Sequence, residues 1–543
     1  MSEGYWQRFW QRRASRRAFL RGGLYGGVGL AAAALLACRQ EAPTASPAAE
    51  GARPRPGGVL PVAFGLEPSS LDPHTGVSGG DHYYFTAIFD FLVAHDQNNE
   101  LQAEASLASG WELVDPTTIV FRLRPGVSFH DGTPFNAEAV RWNIERVKDP
   151  QLRSTARANF LVVERVETPD AQTARFLLRE PSAPLLYLLG ERGGAMVSPT
   201  AAERLGDQFK SQPVGTGPFL FEEWRPGSHV RLRRNPNYWR RDRAGNPLPY
   251  LEQVNLRIIP QPETALAALL TGEVLIAGVQ PKDLPQAQGS PDLQVLERRG
   301  SSVASLLVFH HGLPPADNGD FRRAVAYALD PEAVNKTVYF GRMLVADAGM
   351  WPPGTWVYQP VPDRPRYDPQ RARDFLRRAG YSGPASVKMI TYSAPLIQQQ
   401  TEVYQEQLRA VGINVDLTVQ DVGQATQAFF AGNQFPIYST SWSLYPEPDW
   451  IGSLNYSRDG FYNPAKKTDP ELQGLLEQGR REYDQNRRKE IYHRVNQIVL
   501  REALFVPLLY GVAFVGVNRK VANTASLWTG EAKWRFPELW LTS

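Results

Sequence analysis

Apolar and polar positions alternate with two different periods along this chain, and the switches between them mark its elements. After Gly57-Gly58, the run 59–64 reads as a first strand, and the turn-rich stretch 67–74 follows it as a loop. Residues 83–93 are apolar and aromatic and predict a buried helix. Residues 118–123 alternate, which predicts a strand. A loop over 126–133 leads to Asn136, placed to cap a helix that runs through Arg146. Residues 175–178, 219–221 and 254–259 read as further strands, and 264–270 as a helix ended near Gly272.

Helix and strand then keep alternating. A helix over 321–328 ends at Asp330-Pro331, where a second begins. Helices over 369–379 and 398–410 are closed by Gly380 and Gly412, residues suited to the left-handed turn after a last helical residue. Strands at 387–391 and 413–417 follow them. Residues 471–501 form a long charged amphipathic helical region, and 505–510 an apolar extended run. This order predicts α/β lobes with parallel or mixed sheets and no internal repeat of fixed period.

The first residues belong to a different class. Arg16-Arg17 precedes an apolar run from Leu24 to Leu36, too short to span a bilayer as a stable helix. The arginine pair resembles a twin-arginine export signal, and the residues ending in Cys38 resemble a lipobox, whose cysteine is acylated and becomes the new N-terminus. An anchor that is never cleaved is the alternative. Cys38 is the only cysteine, so an acylated Cys38 leaves neither disulfides nor cysteine catalysis. Residues 38–56 are rich in Ala, Pro, Glu and Arg and read as a tether.

Charge follows the same division. The chain carries +3, of which the six arginines and single acid of residues 1–37 supply +5, leaving −2 for the remainder. The basicity belongs to the signal and gives no support for a nucleic-acid partner. A hydrophobic share of 42% and a charged share of 21% are those of a globular protein.

Signatures of catalysis are scarce. No His-Glu-x-x-His pair occurs. His310-His311 is the only close histidine pair, and neighbours on a strand point to opposite faces, so they do not suit one metal. Gly215-Thr216-Gly217 lacks the lysine and spacing of a phosphate loop and reads as a tight turn. No cofactor or metal is expected.

Several motifs together resemble one family. Glu67-Pro68-Ser69-Ser70-Leu71-Asp72-Pro73-His74, the run from Leu123-Arg124-Pro125-Gly126 to Thr133-Pro134-Phe135, Pro213-Val214-Gly215-Thr216-Gly217-Pro218-Phe219 and Arg234-Asn235-Pro236-Asn237-Tyr238-Trp239 are similar to family 5 extracellular solute-binding proteins. These are the peptide, nickel and oligosaccharide receptors of ABC importers. Residues 322–331, Tyr367-Asp368-Pro369 and Gly380-Tyr381 fit the same order. The resemblance implies an α/β, two-lobed periplasmic-binding-protein-like fold of type II, cluster C-like, with an inserted sub-domain. Lobe I is then 57–75, 191–305 and 505–543, the insertion 76–190 and lobe II 306–504. Two short apolar crossings join the lobes, near 305–308 and 505–507.

The family also implies where ligand binds. Extended ligands pair with backbone at Gly76-Val77-Ser78 and at Trp442-Ser443-Leu444-Tyr445 by strand addition. Peptide-binding relatives place an aspartate just before the Tyr-Pro-Glu-Pro stretch to hold the α-amine, and here that position is Leu444. Either Glu447 or Asp449 takes over that role, or the ligand has no free amine there. Trp442 and Tyr445 are expected to face the cleft, with Trp351, Trp356 and Trp450 open between cleft and core. The expected whole is a monomeric, lipid-anchored receptor that hands a small polar, peptide-like or sugar ligand to an ABC permease and ATPase. The competing classes are an envelope-bound hydrolase and a receptor or chaperone that does not serve transport.

Overall fold

The computed structural model describes residues 53–96, 100–443, 445, 447–460, 462–529 and 532–542. The export signal, Cys38, most of the tether and Leu444 therefore lie outside the described residues.

A mixed sheet of 11 strands runs through the body. From one edge its order is Ile413–Gln420, Ala385–Tyr392, Ile437–Ser443, Leu293–Phe309, Phe505–Asn518, Ile276–Gly278, Val59–Phe64, Gln253–Ile258, His229–Arg234 and Phe219–Arg225, with Leu344–Val345 paired to Phe505–Asn518. The two long central strands hold both lobes. They pair antiparallel from Leu293 opposite Asn518 to Val308 opposite Phe505. Their outer halves sit beside Ile276–Gly278 in one lobe, and the other halves beside Ile437–Ser443 in the second. The register slips between Arg299 and Val303, and again before Leu306. Gly300, at φ +67°, lies where any Cβ would run into the Pro353 carbonyl. Only glycine fits there without strain.

The first lobe closes around Val62, Phe85, Phe219, Leu256 and Trp534. Both ends of the described chain meet on it. The Gly57 amide donates to the Tyr250 carbonyl at 2.7 Å, and Arg55 reaches the Thr542 carbonyl at 3.4 Å. Beside this lobe stands a separate antiparallel sheet, Ala108–Asp115, Thr118–Leu123, Thr173–Leu178 and Val163–Asp170, covered by the helix Ala137–Lys148. Asn136 caps that helix as the sequence predicts, its side chain accepting from the Ala139 amide at 3.0 Å. Phe121 and Phe176 meet edge to face at 4.8 Å in its core.

The recognisable motifs are joints. The His130 ring binds the Gly217 carbonyl at 3.0 Å, and Gly215 and Gly217 lie so close to the Ile88 carbonyl that no side chain fits. This is why the chain needs glycine on both sides of Thr216, and the tight-turn reading of that segment is correct. Asp90 is buried and accepts from Tyr238 and Trp239, each at 2.8 Å. Arg146 grips Asp72 at 2.7 Å and His74 at 2.8 Å. Burial would raise Asp72, but the Arg146 contact outweighs it and holds the carboxyl low.

Three elements depart from the periodicity. The helix expected over 83–93 covers only His82–Ile88, because Phe89 is extended and the Leu92 amide pairs with the Gly194 carbonyl. The region 471–501 is two helices, Pro470–Arg481 and Gln485–Arg501, the second capped by Asp484. A helix also spans Pro448–Tyr456 inside the proline-rich stretch, with Pro448 in its first turn and Glu447 as its cap.

Candidate ligand-binding site

Gly76 and Ser78 belong to a loop fixed from inside. Asp81 accepts from the Ser69 amide at 2.7 Å, the Ser69 hydroxyl at 2.6 Å and the Ser78 amide at 2.9 Å. Arg192 donates to the Gly76 carbonyl, and to the Ser78 carbonyl at 3.0 Å. A Cβ on Gly76 would meet Asp81 and Phe85. Between these braced residues Val77 is 73% exposed. The amides of Gly76, Val77 and Ser78 donate to Asp72, Ser69 and Asp81, so the loop's backbone is held from within and Val77 presents its apolar side chain outward.

Trp442 and Ser443 end the strand Ile437–Ser443, with Trp442 opposite Val303 and Ser443 opposite Ser302. The Trp442 ring lies 5.0 Å from Tyr462 and 5.7 Å from Phe505. Tyr445 stacks on Trp450 at 5.4 Å. Burial pushes the Tyr462 hydroxyl up, and the Arg192 charge pulls it back in part. Trp351 is fully buried and meets Tyr492 edge to face at 5.5 Å, so it is core. Trp356 covers the Arg488 guanidinium at 5.3 Å.

Glu447 and Asp449, expected as substitutes for the missing aspartate, meet a geometric obstacle to holding a ligand amine. Glu447 is 4% exposed, and both of its oxygens accept from Arg488, at 2.5 and 3.2 Å. Burial pushes the Glu447 carboxyl up against the pull of Arg488. Asp449 is 7% exposed and takes Arg480 at 3.3 Å, Ser453 at 2.8 Å and Tyr492 at 3.3 Å. Arginines of the following two helices thus already occupy the carboxylates nearest the loop. Sequence reasoning missed Arg192, Tyr462, Arg480 and Arg488, because each meets its partner far along the chain. Of these, only the alternation of charge along 471–501 carried a signal.

His310 bonds Asn433 at 2.7 Å and His311 the Leu504 carbonyl at 3.1 Å, so each ring has its own partner. Among the described residues, no group of three or more His, Cys, Asp or Glu is placed to hold a metal ion. No described helix is long and apolar enough to cross a membrane.

Two lobes joined by a pair of long strands are the architecture of an extracytoplasmic binding protein. The profile of bacterial extracellular solute-binding proteins, family 5, matches residues 102–463. The chain belongs to this family of ABC-importer receptors. It is 27% identical over 462 residues to the glutathione-binding protein GsiB of Shigella flexneri, covering 82% of this chain and 88% of that one. It superposes on the periplasmic binding protein DppA of Helicobacter pylori, held with the peptide STSA, at a TM-score of 0.78 and 26% identity, covering 90% of this chain and 99% of that one. NikZ of Campylobacter jejuni, in complex with Ni(L-His), gives a TM-score of 0.75 at 20% identity, covering 88% of this chain and 96% of that one.

Proposed function

We propose that this protein is a lipid-anchored, monomeric receptor that captures one small polar solute between its lobes and delivers it to an ABC permease. Cys38 is the acylated first residue of the mature chain. Gly76, Val77, Ser78, Trp442, Ser443, Leu444 and Tyr445 line the ligand, with backbone pairing at the two loops and aromatic faces beside it. The ligand carries no ammonium clasped at the lobe II loop. One observation carries this last reading: Glu447 and Asp449 are buried in arginine pairs, and the position before Tyr445 is a leucine. A buried ammonium without a carboxylate partner is costly.

Relatives named for glutathione, a peptide and a nickel–histidine complex support a fold that admits different solutes. Titration calorimetry against free peptides, N-capped peptides and oligosaccharides tests the class. Binding is expected from the capped or sugar pools, with micromolar affinity corresponding to about 8 kcal/mol. Tight binding of free-amine peptides, with the same peptides bound at least tenfold more weakly once N-capped, overturns it. Conversion of the bound compound by the purified protein points to a hydrolase instead. Cys38→Ala is expected to leave the protein uncleaved or free of membranes, read by fractionation and mass spectrometry.

A further inference from the structure

A set of hydrogen bonds joins the antiparallel sub-domain to lobe II. The Ala183 amide donates to the Arg480 carbonyl at 2.9 Å. The Tyr483 hydroxyl accepts from the Ser182 amide at 3.1 Å and donates to the Pro116 carbonyl at 2.9 Å. Arg481 pairs with Glu180 at 2.8 Å, both half exposed. Trp450, stacked on Tyr445, packs against the cores of both bodies at once. All the lobe II partners of these bonds lie at the end of the helix Pro470–Arg481 or in the turn after it.

The same helix end is tied to the ligand loop. Arg480, whose carbonyl takes the Ala183 amide, sends its guanidinium to Asp449 at 3.3 Å and Ser453 at 2.6 Å. Arg488, bonded to both oxygens of Glu447, donates its Nε–H to the Gly479 carbonyl at 2.9 Å. Gly479 packs so closely on the Tyr492 ring that a Cβ would collide with it. The segment that follows Tyr445 is thus bolted at two points to residues 479 and 480. A shift of that segment moves the groups that reach across to Pro116, Ser182 and Ala183.

We propose that Arg480 and Tyr483 form a closure latch between lobe II and the sub-domain, and that Glu447–Arg488 and Asp449–Arg480 couple it to the ligand loop. These acids act as positioning residues for capture, and do not contact the solute. The inference rests on the solute-capture reading for its purpose, but the latch itself is measurable with no solute added. Interactions that bridge two bodies and share a residue with the binding loop bias an open–closed equilibrium by their difference between the two states.

The test is hydrogen exchange by mass spectrometry on the full-length protein in detergent, with a spin-label distance measured between Ala171→Cys and Glu402→Cys in a Cys38→Ser background. Tyr483→Phe removes one hydroxyl that serves two bonds. It is expected to speed exchange at Ser182 and Ala183 by about fivefold. It is also expected to shift the distance distribution toward longer values, with the melting temperature unchanged. Asp449→Asn is expected to do the same at Ser182 and Ala183, which it does not touch. Arg480→Lys replaces it if that variant fails to fold, since it keeps the charge and loses the fork to Asp449 and Ser453. Unchanged exchange and distances in Tyr483→Phe overturn the latch. Faster exchange confined to 448–456 in Asp449→Asn overturns the coupling. Failure to bind any solute, with these shifts present, counts against the capture reading alone.

Discussion

At residue 447 a carboxylate sits in the protein interior with its charge met by one guanidinium and its oxygens by three donors, two from Arg488 and one from the Asp449 amide. Removing one member of such a pair strands the other. Glu447→Gln is therefore expected to cost about 3–5 kcal/mol of stability, because the Arg488 charge stays buried without its partner. Urea unfolding measures this, and a loss below about 1 kcal/mol would show that Arg488 finds solvent or another acid. Trp442 and Tyr445 stand out in the sequence through the family resemblance and the proline-rich stretch around them. Arg192 does not, because its partners at 76 and 78 lie more than a hundred residues away.

Among the elements, the strand Leu293–Phe309 shows what periodicity conceals. Its first half carries Glu297-Arg298-Arg299-Gly300, a charged run without apolar alternation, so only its end reads as a strand. The helix Pro448–Tyr456 is masked in the same way by the prolines around Glu447. Where one face is buried and the other wet, as in Gln253–Ile258 and Ala137–Lys148, pattern and element agree closely. Gly300 marks where the two halves of the long strand turn against each other. Gly300→Ala adds a Cβ at positive φ against a carbonyl, and is expected to cost about 2 kcal/mol. Gly289→Ala, with open space around it and ordinary φ, is expected to be neutral or mildly stabilising. Chemical denaturation of the two variants side by side checks the contrast, and equal midpoints would remove the close approach as the reason for glycine.

For the molecule as a whole, alternation of helix and strand made the α/β class legible, while the two-lobed order and the expected cleft came through resemblance alone. Buried histidines set its response to acid. Burial lowers His95 and His130 from 6.5 to about 4, and His74 and His311 to about 3. Each is neutral when folded and takes up a proton on unfolding below pH 6.5, so each withdraws stability as pH falls from 6.5 toward its folded value. At pH 5 that amounts to about 2 kcal/mol per ring. Melting temperature is thus expected to fall steadily from pH 6.5 to 4, and a flat profile down to pH 5 would contradict neutral burial. Asp72 adds a second loss at lower pH, as its Arg146 pair is protonated away. The meeting of Arg55 with Thr542 has a further, mechanical consequence. Residues 55 and 542 meet on one lobe, so the first and last described stretches move together as one body. A fluorescent protein fused after residue 542 would sit on the same lobe as residue 55, leaving the other lobe unloaded. A circularly permuted chain, with residues 55 and 542 joined across that short gap, would keep the same sheet and open the chain on the other lobe instead.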